Sequence, residues 1–393
     1  MLVIGLMSGT SLDGIDAVLV EFSGATEAEV AWRVVGFVSR PYSPEERERI
    51  HRVILDGGAE ALCRLHGELG EWLAAAALQV CEASMVDAAQ VGLVGSHGQT
   101  VWHIPPLPGK RGYTLQLGDP ATIAERTGIP VVSDFRARDV AAGGEGAPLV
   151  PWQDRVLFSA PGKARVLQNI GGMGNLTWIP PKGEELPLLA FDTGPGNALI
   201  DAAVELATGG RETFDRDGER AARGHVDEEL VRRALSHSFF MLTPPKSTGR
   251  ELFGRPFVED LVRNLRPVSD AGWDDVIASL TAVTARSIVD AIREWVLHRG
   301  VDEVVISGGG ARNPVLVRMV RDALAPIPVV TGEALGIDPD AKEAIAFAGL
   351  AWAFVHGIPG SVPEATGALG PRILGSLTPG AGGRLPTPTN AST

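Results

Sequence analysis

Apolar and polar positions follow two rhythms along this chain, and the first is set within twenty residues of its start. Residues 2–22 carry two apolar, β-branched runs on either side of a polar turn at 8–14. Runs of this kind about a Gly-rich turn predict a β-hairpin. The pattern then predicts a strand over 30–40, a helix over 44–55 and a long Ala- and Leu-rich helix over 59–86. A strand over 91–95 runs into a loop, Ser96-His97-Gly98-Gln99-Thr100. A Pro/Gly-rich surface loop at 105–112 precedes a short strand at 114–117 and a helix at 120–127. Residues 131–132 open a polar loop over 133–139.

A second hairpin is predicted over 164–179, its turn at 171–174. A strand over 188–191 leads into Asp192-Thr-Gly-Pro-Gly-Asn197 and a helix to about 208. Helices are expected at 227–240 and 274–299, then a strand over 301–307 that ends in Gly308-Gly309-Gly310. Asn313 reads as a helix N-cap with Pro314 in the first helical position. A last strand at 328–331 and a last helix at 340–356 follow. Beyond 378 the chain is rich in Pro, Gly, Thr and Ala and reads as a flexible tail.

Residues 2–100 and 164–310 repeat one plan: hairpin, strand, helices, long helix, strand, Gly-loop. Such internal similarity predicts a duplicated fold. The expectation is an α/β protein of two homologous lobes with a ligand cleft between them, a preferred place for a site. The first lobe is expected over 1–133, with the C-terminal stretch 340–377 packing back on it, the second over 134–339, and the tail over 378–393. A length of 393 residues agrees with two cores rather than one.

Composition narrows the function classes. The net charge of −13 argues against a nucleic-acid surface, because phosphate backbones are met by Lys and Arg. Two cysteines, Cys63 and Cys81, make neither a disulfide framework nor a metal cluster and suit a reducing compartment. The opening apolar run has no Lys or Arg before it, unlike a signal peptide. The longest apolar run, 344–355, is too short to span a bilayer. A cytoplasmic protein with no membrane partner is expected.

The first turn carries the chemistry. Its glycines let backbone approach a ligand, its hydroxyls Ser8, Thr10 and Ser11 suit a phosphate, and Asp13, with Asp16 beyond it, suits Mg²⁺. A decorated hairpin turn is the bland alternative. The chain has no G-x-x-x-x-G-K-[ST] and no G-x-G-x-x-G between strand and helix, which disfavours P-loop and Rossmann sites.

The two-lobe plan resembles the superfamily of sugar kinases, heat-shock chaperones and actin. Within it, the chain is similar to the anhydro-N-acetylmuramic acid kinase family. The matching stretches run in order through nearly the whole chain: 5–16, 95–100, 134–150, Asn169-Ile-Gly-Gly172, 191–197, Phe214-Asp-Arg-Asp-Gly218, 244–250, 307–310 and Thr366-Gly-Ala-Leu-Gly-Pro-Arg372. The second hairpin departs slightly, with Met173-Gly174 where bulkier or hydroxyl residues are common. The resemblance implies two ribonuclease-H-like lobes in an actin-like ATPase fold. It implies an ATP- and Mg²⁺-dependent kinase that uses water to open 1,6-anhydro-N-acetylmuramic acid and phosphorylates its 6-oxygen. The products would be N-acetylmuramic acid 6-phosphate and ADP, in cell-wall recycling. Members of the family are often dimers, so a homodimer is among the implications.

Opening a 1,6-anhydro bridge needs a base for the attacking water. Asp192 is the expected base, at the end of a strand, where a nearby helix N-terminus would lower its basicity. Helix capping is its alternative role. Gly9, Thr10, Ser11, Leu12, Asp13, Gly14, Ile15 and Asp16 are expected at the β- and γ-phosphates, with Asp13 holding Mg²⁺ through water. Gly171 and Gly172 are expected opposite them, and Gly308, Gly309 and Gly310 at the ribose or α-phosphate. His97, Gln99, Arg136 and Glu343 are expected at the sugar. His97 would bond a hydroxyl or the lactyl group, unless it is a buried ring bonded to backbone. Arg136 or Arg138 would pair with the lactyl carboxylate. Lys246 is a further candidate for nucleotide or sugar. Two other classes stay open: an ordinary hexose or amino-sugar kinase, and a non-catalytic protein switched by ATP.

Overall fold

The first hairpin forms where its apolar runs predict it. In the computed structural model, β1 (Leu2–Ser8) pairs antiparallel with β2 (Gly14–Ser23), which pairs antiparallel with β3 (Ala31–Pro41). The structure describes residues 1–9, 12–104, 106, 110–184, 186–244, 246–263, 265, 267, 269–332, 338 and 341–388. Thr10 and Ser11 therefore lie outside the described residues. Parallel to β1 runs β4 (Val91–Ile104), with β5 (Tyr113–Leu117) antiparallel beside it. The short β6 (Val131–Ser133) lies parallel to β4. β7 (Arg165–Ile170), β8 (Met173–Ile179) and β9 (Leu189–Pro195) form a second antiparallel set. Parallel to β7 come β10 (Glu303–Ser307) and then β11 (Val329–Thr331). The last strand, β12 (Ser376–Thr378), returns to pair with β6.

The chain divides into a unit of 1–157 with 340–393 and a unit of 158–339. The sequence pattern places that boundary at 133/134. Strand order in the first unit is β3-β2-β1-β4-β6-β12, and in the second β9-β8-β7-β10-β11. Both sheets thus contain an antiparallel trio followed by two parallel strands, the ribonuclease-H-like order, to which the first sheet adds β12 and β5 as antiparallel strands. The duplication predicted from the repeat is a duplication of this topology.

Each sheet is covered by helices whose starts are written in the sequence. Ser43 and Glu46 form a reciprocal capping box ahead of Pro44–Asp56. Asn313 accepts from the N–H groups of Val315 and Leu316, both at 3.1 Å, as the N-cap of Pro314–Leu324. In the first unit Ile4 and Leu6 join Leu65, Leu69 and Leu73 of Ala59–Ala83 in one core. Gly5 and Gly95 turn the other way, and a Cβ on either would collide with the backbone of Lys342–Val355. Glycine there lets that helix sit directly on β1 and β4. The second unit is built on Asp270–Trp295, whose Ile277, Leu280, Ile288 and Ile292 are fully buried.

Several segments differ from the pattern, among them the helices Val150–Phe158 and Arg255–Val262, which it does not announce. The loop expected at 96–100 is the middle of β4. The polar stretch after 133 is the helix Phe135–Ala141, entered through Asp134 at φ +57°. Alternating charge there hides a short helix whose buried face is only Phe135, Asp139 and Val140. The stretch expected as a tail follows directly on β12 and holds an anchor, Arg384, whose Nη2 donates to the carbonyls of Val91 (2.8 Å) and Ala89 (3.2 Å).

Candidate active site

In the first unit the polar turn is braced from below. Leu12 sits at φ +55° with its side chain in the core, and the Arg47 Nε donates to its carbonyl at 2.8 Å. Ile15 is fully buried, and a Cβ on Gly14 would strike the Arg40 carbonyl of β3. These three therefore shape the turn, and any contact they make with a ligand is through backbone. Asp13 is exposed at the turn and Asp16 follows on β2. Ser8 donates to Gln99 Oε1 at 2.5 Å and accepts from Tyr42 at 2.8 Å. Burial pushes the Tyr42 phenol up to about 12, so it stays a donor. Gln99 is fully buried, and its Nε2 donates to the Thr100 carbonyl at 3.1 Å.

His97 occupies the middle of β4, buried against Phe347. Its Nδ1–H donates to the Gly98 carbonyl at 2.8 Å, which leaves Nε2 as an acceptor for the Arg136 Nε–H at 3.0 Å. Burial, with the Arg136 charge beside it, lowers the ring to about 3. His97 is a neutral support for Arg136. Arg136 also donates through Nη1 to the Gly146 carbonyl at 2.8 Å, and burial pulls its pKa down. Arg138, on the same helix, is exposed. Glu343 opens the helix Lys342–Val355. The residue is exposed, yet the protein mass around it raises its carboxyl, Arg136 and Lys342 oppose the rise, and Asp16 and Asp13 add to it. In the first unit Asp13, Asp16 and Arg136 thus all lie within electrostatic reach of Glu343.

In the second unit Asp192 lies inside β9, opposite Asn175, rather than at a strand end. It caps no helix. Its Oδ2 accepts from the Thr248 N–H at 2.8 Å, and its own N–H donates to the Lys246 carbonyl at 3.0 Å. The 246–248 segment is pinned to β9 on both sides of this residue. Burial raises the Asp192 carboxyl, and the Thr248 bond only opposes that. The expected lowering by a helix N-terminus is therefore corrected: desolvation outweighs it. Lys246 lies 4.8 Å from the Phe239 ring, and burial lowers its pKa.

The turn Gly171–Gly172 is stitched to the start of Ala198–Thr208. The Asn197 N–H donates to Gly171 O at 2.8 Å, and those of Gly196 and Ala198 to Gly172 O at 2.9 and 3.0 Å. A Cβ on Gly172 would stand 3.4 Å from the Arg250 guanidinium. Sequence reasoning missed Arg250, although it ends the quoted 244–250 stretch. Burial raises Asp201, on the first turn of the same helix, to about 6, opposed by the Arg250 charge. At the Gly-loop, Gly308 holds φ +79° and packs 2.6 Å, at its Cβ position, from the Asn169 Oδ1. A Cβ on Gly310 would strike Ile170, whereas Gly309 has room. Beside this loop Gly218 packs on the Asn313 side chain. Gly218 follows a pocket of about 430 Å³ lined by Phe214, Arg211, Arg216 and Arg220 among others. The Arg216 guanidinium lies 5.8 Å over the Phe214 ring.

A family profile described as anhydro-N-acetylmuramic acid kinase matches residues 1–380. The chain belongs to the anhydro-N-acetylmuramic acid kinase family. It is therefore a kinase, and membership implies ATP as phosphoryl donor. Curated relatives with that name include proteins from Caldanaerobacter subterraneus subsp. tengcongensis and from Rippkaea orientalis. The first is 44% identical over 384 residues, covering 96% of each chain. The second is 44% identical, covering 96% of this chain and 99% of its own. A third, from Bacillus cereus, is 41% identical over 96% of this chain and 99% of its own. Among the described residues of this kinase, no helix is long and apolar enough to cross a membrane. No group of three or more His, Cys, Asp or Glu side chains among them is placed to ligate a metal directly.

Proposed function

We propose that this kinase hydrolyses the 1,6-anhydro bridge of 1,6-anhydro-N-acetylmuramic acid and transfers the γ-phosphoryl group of ATP to the released 6-oxygen. Water forms the new bond to C1 from the face opposite the bridge, and the C1–O6 bond breaks. The water's proton passes to Asp192, while O6 takes the phosphoryl group and ADP leaves. The products are N-acetylmuramic acid 6-phosphate and ADP, which suits cytoplasmic recycling of wall fragments. The observation that carries this reading is the Asp192 carboxylate, with one oxygen fixed by Thr248 and a pKa raised by burial. A raised pKa makes a stronger base once the proton is off.

The same reading assigns the other roles. The turn from Gly9 to Asp16, Thr10 and Ser11 included, meets the β- and γ-phosphates. Within the second unit, Gly171, Gly172 and Arg250 suit phosphate oxygens, Arg250 through a planar fork. Gly308, Gly309 and Gly310 admit the ribose, and the pocket beside Phe214 and Arg216 receives the base. Arg136 rather than Arg138 takes the lactyl carboxylate, because Arg136 is half-buried and held by two acceptors. Glu343 meets the sugar hydroxyls. His97 and Gln99 act one layer out.

The carboxylates fit Mg²⁺ held through its own waters. Asp13, Asp16 and Glu343 gather negative charge at the first turn, without the direct ligand set of a dry metal site. The ion would neutralise phosphate charge there.

The test is ATP turnover with 1,6-anhydro-N-acetylmuramic acid in ¹⁸O-water. Sugar-dependent ADP release with label on the anomeric hydroxyl is expected. Asp192→Asn should lower it by roughly 10²–10⁴-fold, the scale of general-base catalysis. In the wild type kcat/KM should rise with pH through a carboxyl step above the ordinary 3.8. ADP release with open-ring sugars alone would make the protein an ordinary amino-sugar kinase, and release without sugar dependence a nucleotide switch.

A further inference from the structure

Two stretches of the first unit, 134–150 and 366–372, have no part in the chemistry above except through Arg136. The structure joins them around one carboxylate. Asp139, one turn along the helix from Arg136, is fully buried. Its Oδ2 accepts from the Gly146 N–H at 2.8 Å, and its Oδ1 from the Thr366 hydroxyl at 2.8 Å. The Gly146 carbonyl in turn accepts from Arg136 Nη1 at 2.8 Å. Gly146 stands at φ +74°, and a Cβ there would lie 2.6 Å from the Val140 side chain. It can therefore supply both groups only as glycine and only in this place.

The C-terminal segment is clasped to the same loop twice more. The Glu145 N–H donates to the Thr366 carbonyl at 2.8 Å, and the Leu369 N–H to the Ala142 carbonyl at 2.9 Å. One chain of bonds thus runs from Thr366 through Asp139 and Gly146 to Arg136, and His97 supports the guanidinium from its other side.

We infer that Asp139 and Thr366 are positioning residues for Arg136, and that through them the segment after Pro363 sets the enzyme's preference for a carboxylate-bearing sugar. The inference rests on Arg136 meeting the lactyl carboxylate. A half-buried guanidinium recognises a carboxylate through a planar fork, so a small rotation of that plane loses one of two bonds. Asp139 spends both oxygens on fixing the loop that fixes the plane. Removing the Thr366 hydroxyl leaves Oδ1 without that donor in a buried place, and the carboxylate is then free to turn away from Gly146.

Binding calorimetry on the full-length protein with 1,6-anhydro-N-acetylmuramic acid and with its lactyl methyl ester tests this. The ester keeps the sugar and loses the charge. The wild type should favour the acid, and Thr366→Val should shrink the acid-to-ester preference by roughly tenfold, about the worth of one positioning hydrogen bond. Thr366→Ser should restore it, and the ester's Kd should stay put in both. A preference ratio does not depend on the folded fraction, so a stability loss alone cannot produce this. If Thr366→Val yields too little folded protein, Asp139→Asn is the second variant, with the same expected loss. An unchanged ratio in these variants, with the preference collapsed in Arg136→Met, overturns the inference alone. A preference that survives Arg136→Met overturns the Arg136 reading and the inference with it.

Discussion

Arg250 shows how a single side chain can be prepared without being advertised. Its guanidinium stands against the Gly172 turn and opposes the rise of the Asp201 pKa. If it meets transferring phosphate, Arg250→Met should lower kcat/KM for ATP by roughly 10²–10³-fold, a range set by electrostatic stabilisers of developing charge. Sugar binding measured by calorimetry should be unchanged. Arg250→Lys should recover only part of the loss, because an ammonium cannot form the fork. His97 gives a second residue-scale expectation, in stability. Its folded-state pKa lies near 3 against an ordinary 6.5. The unfolded chain therefore takes up the proton first as pH falls. The stability held above pH 6.5 declines between 6.5 and about 3, at up to about 1.4 kcal/mol per pH unit from this ring. Urea titrations across that window should give a slope smaller by one proton in His97→Gln than in the wild type. Equal slopes would mean that the ring is charged in the fold.

At the scale of elements, the helix Lys342–Val355 has two jobs that its sequence reports unequally. Its apolar run announces burial, and Glu343 announces a first-turn acid favoured by the helix dipole. Which strands it packs on is invisible until the sheet is seen. Gly5 and Gly95 are single glycines in apolar strands, and only the structure shows the helix backbone lying where their side chains would be. The same limit governed the site. Hairpins, caps and Gly-turns were legible because each is a local pattern. His97 was ambiguous because its partner, Arg136, is 39 residues away. Asp192 stands out by its neighbours in the chain, but its pKa direction depends on burial and on Thr248, 56 residues on. Gly95→Ala would push the helix off β4. It should cost about 1–3 kcal/mol or more, as overpacking does, read as a shift of the urea midpoint. Because Glu343 rides on that helix, KM for the sugar should rise while KM for ATP moves less. A lowered midpoint with an unmoved sugar KM would separate the helix from the site.

At the scale of the molecule, one topology is used twice but closed in two ways. The second unit is a continuous segment, 158–339, with its own sheet and two cores of its own. The first unit is discontinuous. The C-terminal 340–393 supplies the helix that lies on β1 and β4, the strand β12 that pairs with β6, and the Arg384 anchor. The sequence pattern shows that the halves share a plan and already expects 340–377 to pack on the first lobe, but neither the pairing of β12 with β6 nor the Arg384 anchor is legible in it. Folding autonomy should follow this division. A fragment of residues 158–339 should unfold cooperatively, with native-like circular dichroism, because every strand of its sheet is within it. A fragment of residues 1–157 should bind a hydrophobic dye and unfold without a sharp transition. It lacks the helix over Gly5 and Gly95 and leaves β6 as an unpaired edge. Appending residues 340–388 through a flexible linker should restore a cooperative transition. If 1–157 alone unfolds sharply, the borrowed elements are an ornament on a finished core. Failure of the appended piece to restore cooperativity would mean that the first unit needs the second in order to fold.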